Sequence, residues 1–148
     1  MKKILGKSYQ NGMRESGAGF SLFGFLIVVA IVAAAAGFYF VNYHKQINEN
    51  RDKIIKTNLS HIVANGFGHF DIFGNYESFC ATESVIALED EIAKAHSTSK
   101  HNCAYLNFCA CATLNTIPGD VFCVDSTGVR KESAATCELA CHVDGVCL

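Results

Sequence analysis

The sequence predicts an α+β protein in which a long N-terminal helix packs against a small antiparallel β-sheet. Three observations predict this class: an uncharged apolar run that passes into an amphipathic helical pattern, a later change to strand-like alternation, and eight cysteines confined to the C-terminal half. The 148 residues provide for one membrane segment and one domain of ordinary size.

The apolar run lies close to the N-terminus but does not begin there. No Asp, Glu, Lys or Arg occurs between Ser16 and His44, and residues 1–19 carry a net charge of +3 from Lys2, Lys3, Lys7, Arg14 and Glu15. As a helix at about 1.5 Å per residue, residues 20–41 would span about 33 Å, enough for a bilayer core of about 30 Å. Residues 20–41 are therefore predicted to be the transmembrane half of the long helix.

The helical pattern continues beyond the apolar run as an amphipathic segment. Apolar residues recur at spacings near three, four and seven between charged ones, at Tyr43, Ile47, Ile54, Ile55, Leu59, Ile62 and Val63. Asn65-Gly66 is a typical helix stop, so residues 42–65 are predicted to form the amphipathic half. Together the two halves make one helix of about 45 residues.

Residues 66–148 are predicted to form a cysteine-rich globular head. Aromatic residues recur at every third position after the helix and are expected to pack in the core, at Phe67, Phe70, Phe73, Tyr76 and Phe79. Thr82 to His96 is predicted to be a short helix with Thr82 or Ser84 as N-cap. Its acidic run, Glu89-Asp90-Glu91, is interpreted as a solvated helix face.

From Cys103 the sequence alternates with a period of two, which predicts strands. One face of the first strand, Cys103 to Leu114, carries Phe108 and several alanines, and the other face carries Cys109 and Cys111. The turn "IPGD" leads to a second strand, "VFCVD", and the turn "DSTG" to a third, "VRKES". We expect an antiparallel meander of three strands, covered by the amphipathic half of the helix and followed by a short, disulfide-bonded tail.

The cysteines indicate an oxidising compartment and a disulfide framework. All eight belong to the head: Cys80, Cys103, Cys109, Cys111, Cys123, Cys137, Cys141 and Cys147. Eight cysteines allow 105 full pairings, so the connectivity stays open. Because Cys109 and Cys111 share a strand face, each is expected to reach a different partner.

The apolar run is compatible with three fates in the cell. A signal peptidase could cut after Ala34-Ala35-Ala36, releasing a soluble domain that starts at Gly37, although "GFYFV" continues the apolar stretch past that point. The membrane could hold the run as a permanent anchor, with the cysteines favouring export of the C-terminal part. As a third possibility, a different peptidase could cut before the run and leave the helix intact.

The third interpretation is the most specific. Gly19-Phe20-Ser21-Leu22, followed by an apolar helix that becomes amphipathic, resembles the N-terminus of type IV prepilins and of the pseudopilins of type II secretion. The resemblance implies a cytoplasmic basic leader, cleavage by prepilin peptidase between Gly19 and Phe20, and N-methylation of Phe20. It also implies the pilin fold, and "FCVDSTG" looks like the strand and turn near the end of some pilin-like proteins.

One residue departs from the family pattern. The family usually has a glutamate four residues after the phenylalanine that follows the cut, and here that position is Gly24. In the family this glutamate is thought to pair with the charged N-terminal amine of a neighbouring subunit. Because a buried charge is costly unless it is paired, the absence of the glutamate removes that contact between subunits. The resemblance then points to a minor or tip-associated subunit. The residues expected to assemble with other subunits begin the helix: Phe20, Leu22, Phe23, Gly24, Phe25 and Leu26.

The expected function is structural: a subunit of a type IV pilus-like filament, held in the inner membrane before assembly into a cell-surface or periplasm-spanning filament. The alternatives are a pseudopilin of a type II secretion system and an anchored or secreted cysteine-rich binding domain that does not polymerise. The expected partners are other pilin or pseudopilin subunits, prepilin peptidase and the inner membrane.

Other classes of function lack their sequence signatures. The net charge of −2 gives no basic field for nucleic acid, and no phosphate-binding, dinucleotide-binding or hydrolase motif occurs. No Cys-x-x-Cys is present, so disulfides account for the cysteines better than zinc or a redox motif. We therefore expect no enzyme activity, no cofactor and no metal, and we expect surface or turn positions for the six histidines.

Overall fold

A computed structural model describes residues 22–148. The chain divides into two compact units, residues 1–39 and residues 40–148, of which the first is described from Leu22 onward. The elements in chain order are helix α1 Leu22–Phe73, a 3-10 turn Phe79–Ala81, helix α2 Glu83–Lys94, strands β1 Ser99–Cys103, β2 Phe108–Thr113, β3 Val121–Asp125 and β4 Arg130–Ser133, and helix α3 Cys137–Ala140. The predicted α+β layout, with a long N-terminal helix and an antiparallel sheet, is confirmed.

Helix α1 is longer than the sequence predicts. The expected end at Asn65-Gly66 is wrong, because α1 runs through Gly66 and ends at Phe73. Gly74 is the residue that ends it: its backbone has a φ of +71°, and its N–H donates to the Phe70 carbonyl at 2.7 Å. A glycine in this left-handed conformation is a common helix C-terminus.

The amphipathic part of α1 covers one face of the sheet, as predicted. Ile55, Leu59 and Ile62 are almost fully buried. They belong to one apolar core with the side chains of β2 and β3 that point to the same face, Phe108, Ala110, Ala112 and Val124. This burial of aliphatic and aromatic surface is the main source of hydrophobic stabilisation in the C-terminal unit.

The sheet has four strands rather than the three expected. The predicted first strand, Cys103 to Leu114, is broken after Cys103 by a turn at residues 104–107, in which the Ala104 N–H donates to the Asn107 carbonyl at 2.8 Å. The residues before the turn become β1, which pairs antiparallel with β2, and β2 with β3 and β3 with β4 follow in sequence order. Alternation continued through the turn, so the period alone did not show the break.

The aromatic spacing after residue 66 predicts burial only in part. Tyr76 and Phe79 are buried and Phe70 is partly buried, whereas Phe67 and Phe73 are exposed. The difference arises because residues 67–73 are helical. In a helix, side chains that recur at every third residue do not all lie on one face. The buried rings contact Phe108 of β2: the Tyr76 and Phe79 ring centroids each lie 4.9 Å from the Phe108 centroid.

Helix α2 lies within the predicted range, with Thr82 at its N-cap position. The Thr82 side chain makes no capping bond to α2 and donates instead to the Phe79 carbonyl at 2.7 Å. The acidic run is not uniformly solvated, because Glu89 is half-buried against His101 of β1. The tail after β4 consists of α3 and a bridge between Cys141 and Cys147.

Candidate functional site

The predicted processing site lies outside the described residues. Gly19 and Phe20 precede Leu22, where the description begins, so cleavage between them and methylation of Phe20 stay predictions. The rest of the predicted assembly segment is described as the first turns of α1. Leu22, Phe23, Phe25 and Leu26 are all more than half exposed.

Gly24 stands where the pilin pattern has a glutamate. No atom outside the local helix backbone lies within 4 Å of the place where a Cβ on Gly24 would stand. A side chain at residue 24 would therefore meet open space in the isolated chain. A carboxylate at residue 24 would therefore make no packing contact within the described chain and could contact only groups outside it.

The apolar stretch of α1 is exposed at every described residue up to Val41 except Gly24, which is half-buried. Its most apolar 18-residue window has a mean hydropathy of 2.5, and none of that window is buried. Length and apolarity fit a membrane span or a signal sequence. A contiguous apolar surface of this size is typical of a segment that contacts a membrane or another protein.

All eight cysteines form disulfides, as predicted. The pairs are Cys80–Cys103, Cys109–Cys141, Cys111–Cys137 and Cys123–Cys147, and their Cα–Cα separations are 5.5–6.0 Å. Cys109 and Cys111 reach different partners, which confirms that expectation. No cysteine is free, so the chain offers no thiol nucleophile or thiolate ligand in this state.

Three of the four disulfides fasten the tail to the second face of the sheet. The small core on that face consists of six cysteines with Val121 and Ala140, while the aliphatic and aromatic core lies on the α1 face. Leu139, Val143 and Leu148 of the tail are exposed. The tail is therefore attached by covalent bonds more than by apolar burial.

A buried aspartate joins α1 to the loop between β2 and β3. Asp52 is 5% exposed and accepts hydrogen bonds from the backbone N–H groups of Asn115, at 2.6 Å, and of Thr116, at 2.9 Å, as well as from the Thr116 hydroxyl. Burial raises the pKa of this carboxyl, but the hydrogen bonds from Thr116 and Asn115 outweigh that effect, so its pKa lies below the ordinary value. Asp52 was not among the functional residues expected from the sequence. Its spacing of three from Ile55 put it in phase with the buried face of α1 and was the available signal.

A second buried aspartate organises the turn between β3 and β4. The Oδ1 atom of Asp125 accepts the N–H of Thr127 at 2.9 Å, the Thr127 hydroxyl at 2.7 Å and the N–H of Val129 at 3.1 Å. Its Oδ2 atom accepts the N–H of Cys147 at 2.9 Å, so the same carboxylate also holds the tail. Gly128 completes the turn with a φ of +90°. The prediction of turn chemistry for "DSTG" is confirmed.

His101 and Glu89 form a partly buried polar contact between β1 and α2. The His101 Nδ1 lies 2.6 Å from the Glu89 Oε1. The hydrogen bond to Glu89 raises the pKa of His101, burial opposes that shift, and the charge of Glu89 adds to it, with a net increase. Within residues 22–148, no group of three or more His, Cys, Asp or Glu side chains is arranged to hold a metal ion.

Comparison with known proteins gave no match to a family model, to a curated protein or to a solved structure. The fold described above and the sequence pattern of residues 17–41 are thus the grounds for any functional assignment.

Proposed function

We propose that this chain is a structural subunit of a type IV pilus-like filament, cut by prepilin peptidase between Gly19 and Phe20 and methylated on Phe20. The observation that carries the proposal is the composition of α1. One helix contains an apolar stretch with no buried residue and, further along, an amphipathic stretch whose apolar face covers the sheet. In this proposal the apolar stretch is first held in a membrane and then packs against the helices of other subunits.

Assembly would exchange lipid contacts for protein contacts. Leu22, Phe23, Phe25 and Leu26 are exposed in the isolated chain, and small residues follow them at Ala33 to Ala36 and Gly37. Small residues let neighbouring helices approach closely, so van der Waals packing between copies can replace packing against acyl chains. In this proposal the function is mechanical, and no residue of the C-terminal unit has a catalytic role.

The location follows from the same proposal. The basic leader would stay in the cytoplasm, the apolar part of α1 would sit in the inner membrane, and the C-terminal unit would be exported to a compartment that supports disulfides. Gly24, in place of the usual glutamate, supports a minor or tip-associated position over that of the major subunit. A pseudopilin of type II secretion would share the fold and the processing.

The proposal is tested in the cells that produce the chain. Filaments sheared from the surface should contain it, and Gly19→Val should remove it from that fraction, because a branched side chain obstructs the backbone at the cut. The matched control is Gly68→Ala, an exposed position of α1 that leaves filament incorporation intact. Incorporation of the Gly19→Val chain at the wild-type level, or absence of the wild-type chain from filaments and from any periplasmic pseudopilus, would contradict the proposal.

A further inference from the structure

The sheet has two edge strands, β1 and β4, and they differ in what they are attached to. The strand order β1-β2-β3-β4 leaves the outer side of each edge strand without a further strand among the described residues. β1 is fastened to the segment after α1 by the disulfide between Cys103 and Cys80. Apart from its pairing with β3, β4 makes one hydrogen bond within residues 22–148, which the Glu132 carboxylate accepts from Lys56 at 2.5 Å. The backbone edge of β4 is thus the more accessible of the two.

The hydrogen-bond register shows which backbone groups of β4 point away from the sheet. The Asp125 N–H donates to the Val129 carbonyl at 3.2 Å, so hydrogen-bonded pairs between β3 and β4 recur at every second residue from there. Lys131 therefore bonds to β3, whereas the N–H and C=O groups of Arg130 and Glu132 point outward. Those groups have no hydrogen-bond partner in the described part of the chain. The outer side of β4 thus presents backbone donors and acceptors that can pair with another strand.

The side chains of β4 carry unpaired positive charge on both faces of the sheet. Lys131 lies opposite Cys123, whose side chain is in the small core on the second face, so Arg130 before it is on the α1 face. Among residues 22–148, neither Arg130 nor Lys131 forms an ion pair. The acidic residue of the strand, Glu132, pairs with Lys56. A partner strand beside β4 would therefore meet two adjacent basic residues, one on each face.

We infer that the outer edge of β4 binds an extended segment of another protein, one that carries two adjacent acidic residues. The segment adds a strand to the sheet, and its backbone bonds to the outward N–H and C=O groups of Arg130 and Glu132. Such main-chain bonds hold an extended peptide of any sequence, and the side chains directly opposite determine the choice of partner. Two adjacent acidic residues place one carboxylate opposite Arg130 and the next opposite Lys131. This contact is separate from the filament contacts of the proposed function and does not depend on them.

The same charges disfavour β4 of a second copy as the added strand. In an antiparallel pairing, the register that sets Arg130 opposite the second copy's Glu132 also sets the two Lys131 side chains opposite each other. Like charges directly opposite each other destabilise a strand pair. In each copy, moreover, Glu132 is already paired with Lys56 at 2.5 Å. An acidic segment from another protein meets no such repulsion.

Hydrogen exchange in the full chain, held in detergent, tests the added strand. The probe is the blocked peptide Val-Thr-Glu-Glu-Val-Thr in millimolar excess, and NMR follows the individual backbone amides. Exchange at the Arg130 and Glu132 amides should slow at least about fivefold, because these amides gain hydrogen bonds. Exchange at the Lys131 amide, which already bonds to β3, should change less. Unchanged exchange at Arg130 and Glu132 in the presence of the peptide overturns the inference.

Two control peptides of the same length test the chemistry of the partner. The lysine analogue Val-Thr-Lys-Lys-Val-Thr should bind at least about tenfold more weakly than the acidic peptide, because two attractive cross-strand pairs become repulsive. A peptide with the sequence of residues 129–134 stands for β4 of a second copy and should also bind more weakly than the acidic peptide. Equal binding of the lysine analogue, or tighter binding of the 129–134 peptide, contradicts an acidic partner.

A proline substitution tests the backbone contact. Glu132→Pro removes an N–H that points outward and no hydrogen bond between β3 and β4, a placement that edge strands tolerate. It should weaken binding of the acidic peptide at least about fivefold. The matched control, Glu132→Ala, removes the same carboxylate but keeps the N–H, and it should bind the peptide at least as tightly as the wild type. Equal binding by the two variants refutes the backbone contact. If near-UV circular dichroism shows that Glu132→Pro is unfolded, the exchange measurement on the wild type decides.

Discussion

Replacing Gly66 by alanine tests how closely α1 approaches the sheet. A Cβ at residue 66 would lie 2.5 Å from the Cε1 atom and 2.7 Å from the Cζ atom of Phe108, and 3.2 Å from the Cε1 atom of Phe79. Phe108 is fully buried, and its ring is held between the rings of Tyr76 and Phe79, so it cannot turn aside cheaply. The added methyl group must push α1 from the sheet or distort the aromatic cluster.

The magnitude is best measured against Gly68→Ala. Both glycines lie within α1, and a Cβ at Gly68 meets nothing within 4 Å. Each substitution gains about 0.8–1 kcal/mol of helix propensity, which cancels in the comparison. What remains is the overpacking cost at residue 66, about 1–3 kcal/mol. Gly68→Ala should therefore exceed the wild type in free energy of unfolding, and Gly66→Ala should lie below Gly68→Ala by that amount.

Thermal and denaturant unfolding of the full chain in detergent measures the difference. Near-UV circular dichroism reports the aromatic cluster directly, since Tyr76 is part of it. For a unit of this size, 1 kcal/mol corresponds to a change in Tm of about 4 °C. If Gly66→Ala and Gly68→Ala have the same unfolding midpoint, α1 does not contact Phe108 through Gly66, and the described core packing is wrong.

The remaining predictions concern two polar contacts and the disulfides. Asp52→Asn should cost about 1–3 kcal/mol at neutral pH. Because folding lowers the pKa of Asp52, the stabilisation from its ionised carboxylate is present above about pH 4 and is lost as the pH falls through the folded-state pKa. The difference in denaturant midpoint between wild type and Asp52→Asn should therefore become smaller in acid. Glu89→Gln should lower the pKa of His101 in an NMR titration. Because folding raises that pKa, the pair stabilises the fold below about pH 6.5, and this stabilisation is lost as the pH rises through the folded-state pKa. A stability difference between wild type and variant that is confined to alkaline pH would contradict this assignment. Exhaustive alkylation of the denatured chain without reductant should label none of the eight cysteines, and full labelling would refute the disulfide framework.

The sequence predicted most of the elements because their signals are periodic. The spacing of Ile55, Leu59 and Ile62 gave the buried face of α1, and the alternation around Cys109 and Cys111 gave the two faces of β2. Periodicity does not record where an element ends. Residues 104–107 alternate like a strand yet form a turn, which placed the predicted first strand too early. Strand β1 was missed because residues 99–102 are all polar and show no apolar alternation.

Gly66 and Asp52 show why contacts between distant segments could not be predicted from the local sequence pattern. Gly66 is a helix stop by local propensity, but the approach of Phe108 requires a glycine within the helix, and this contact is visible only in the fold. Asp52 is one of several charged residues along α1, and its partners lie more than 60 residues away in sequence. The cysteine pairing likewise depends on which strands and tail segments meet, which spacing alone does not determine.

In the proposed function, a cut before Phe20 removes the leader, and the apolar helix then becomes the segment by which copies assemble. Mass spectrometry of the N-terminal peptide of the mature chain tests it most directly. The expected N-terminal residue is N-methylated Phe20. An N-terminus at Met1 or at Gly37 would contradict it.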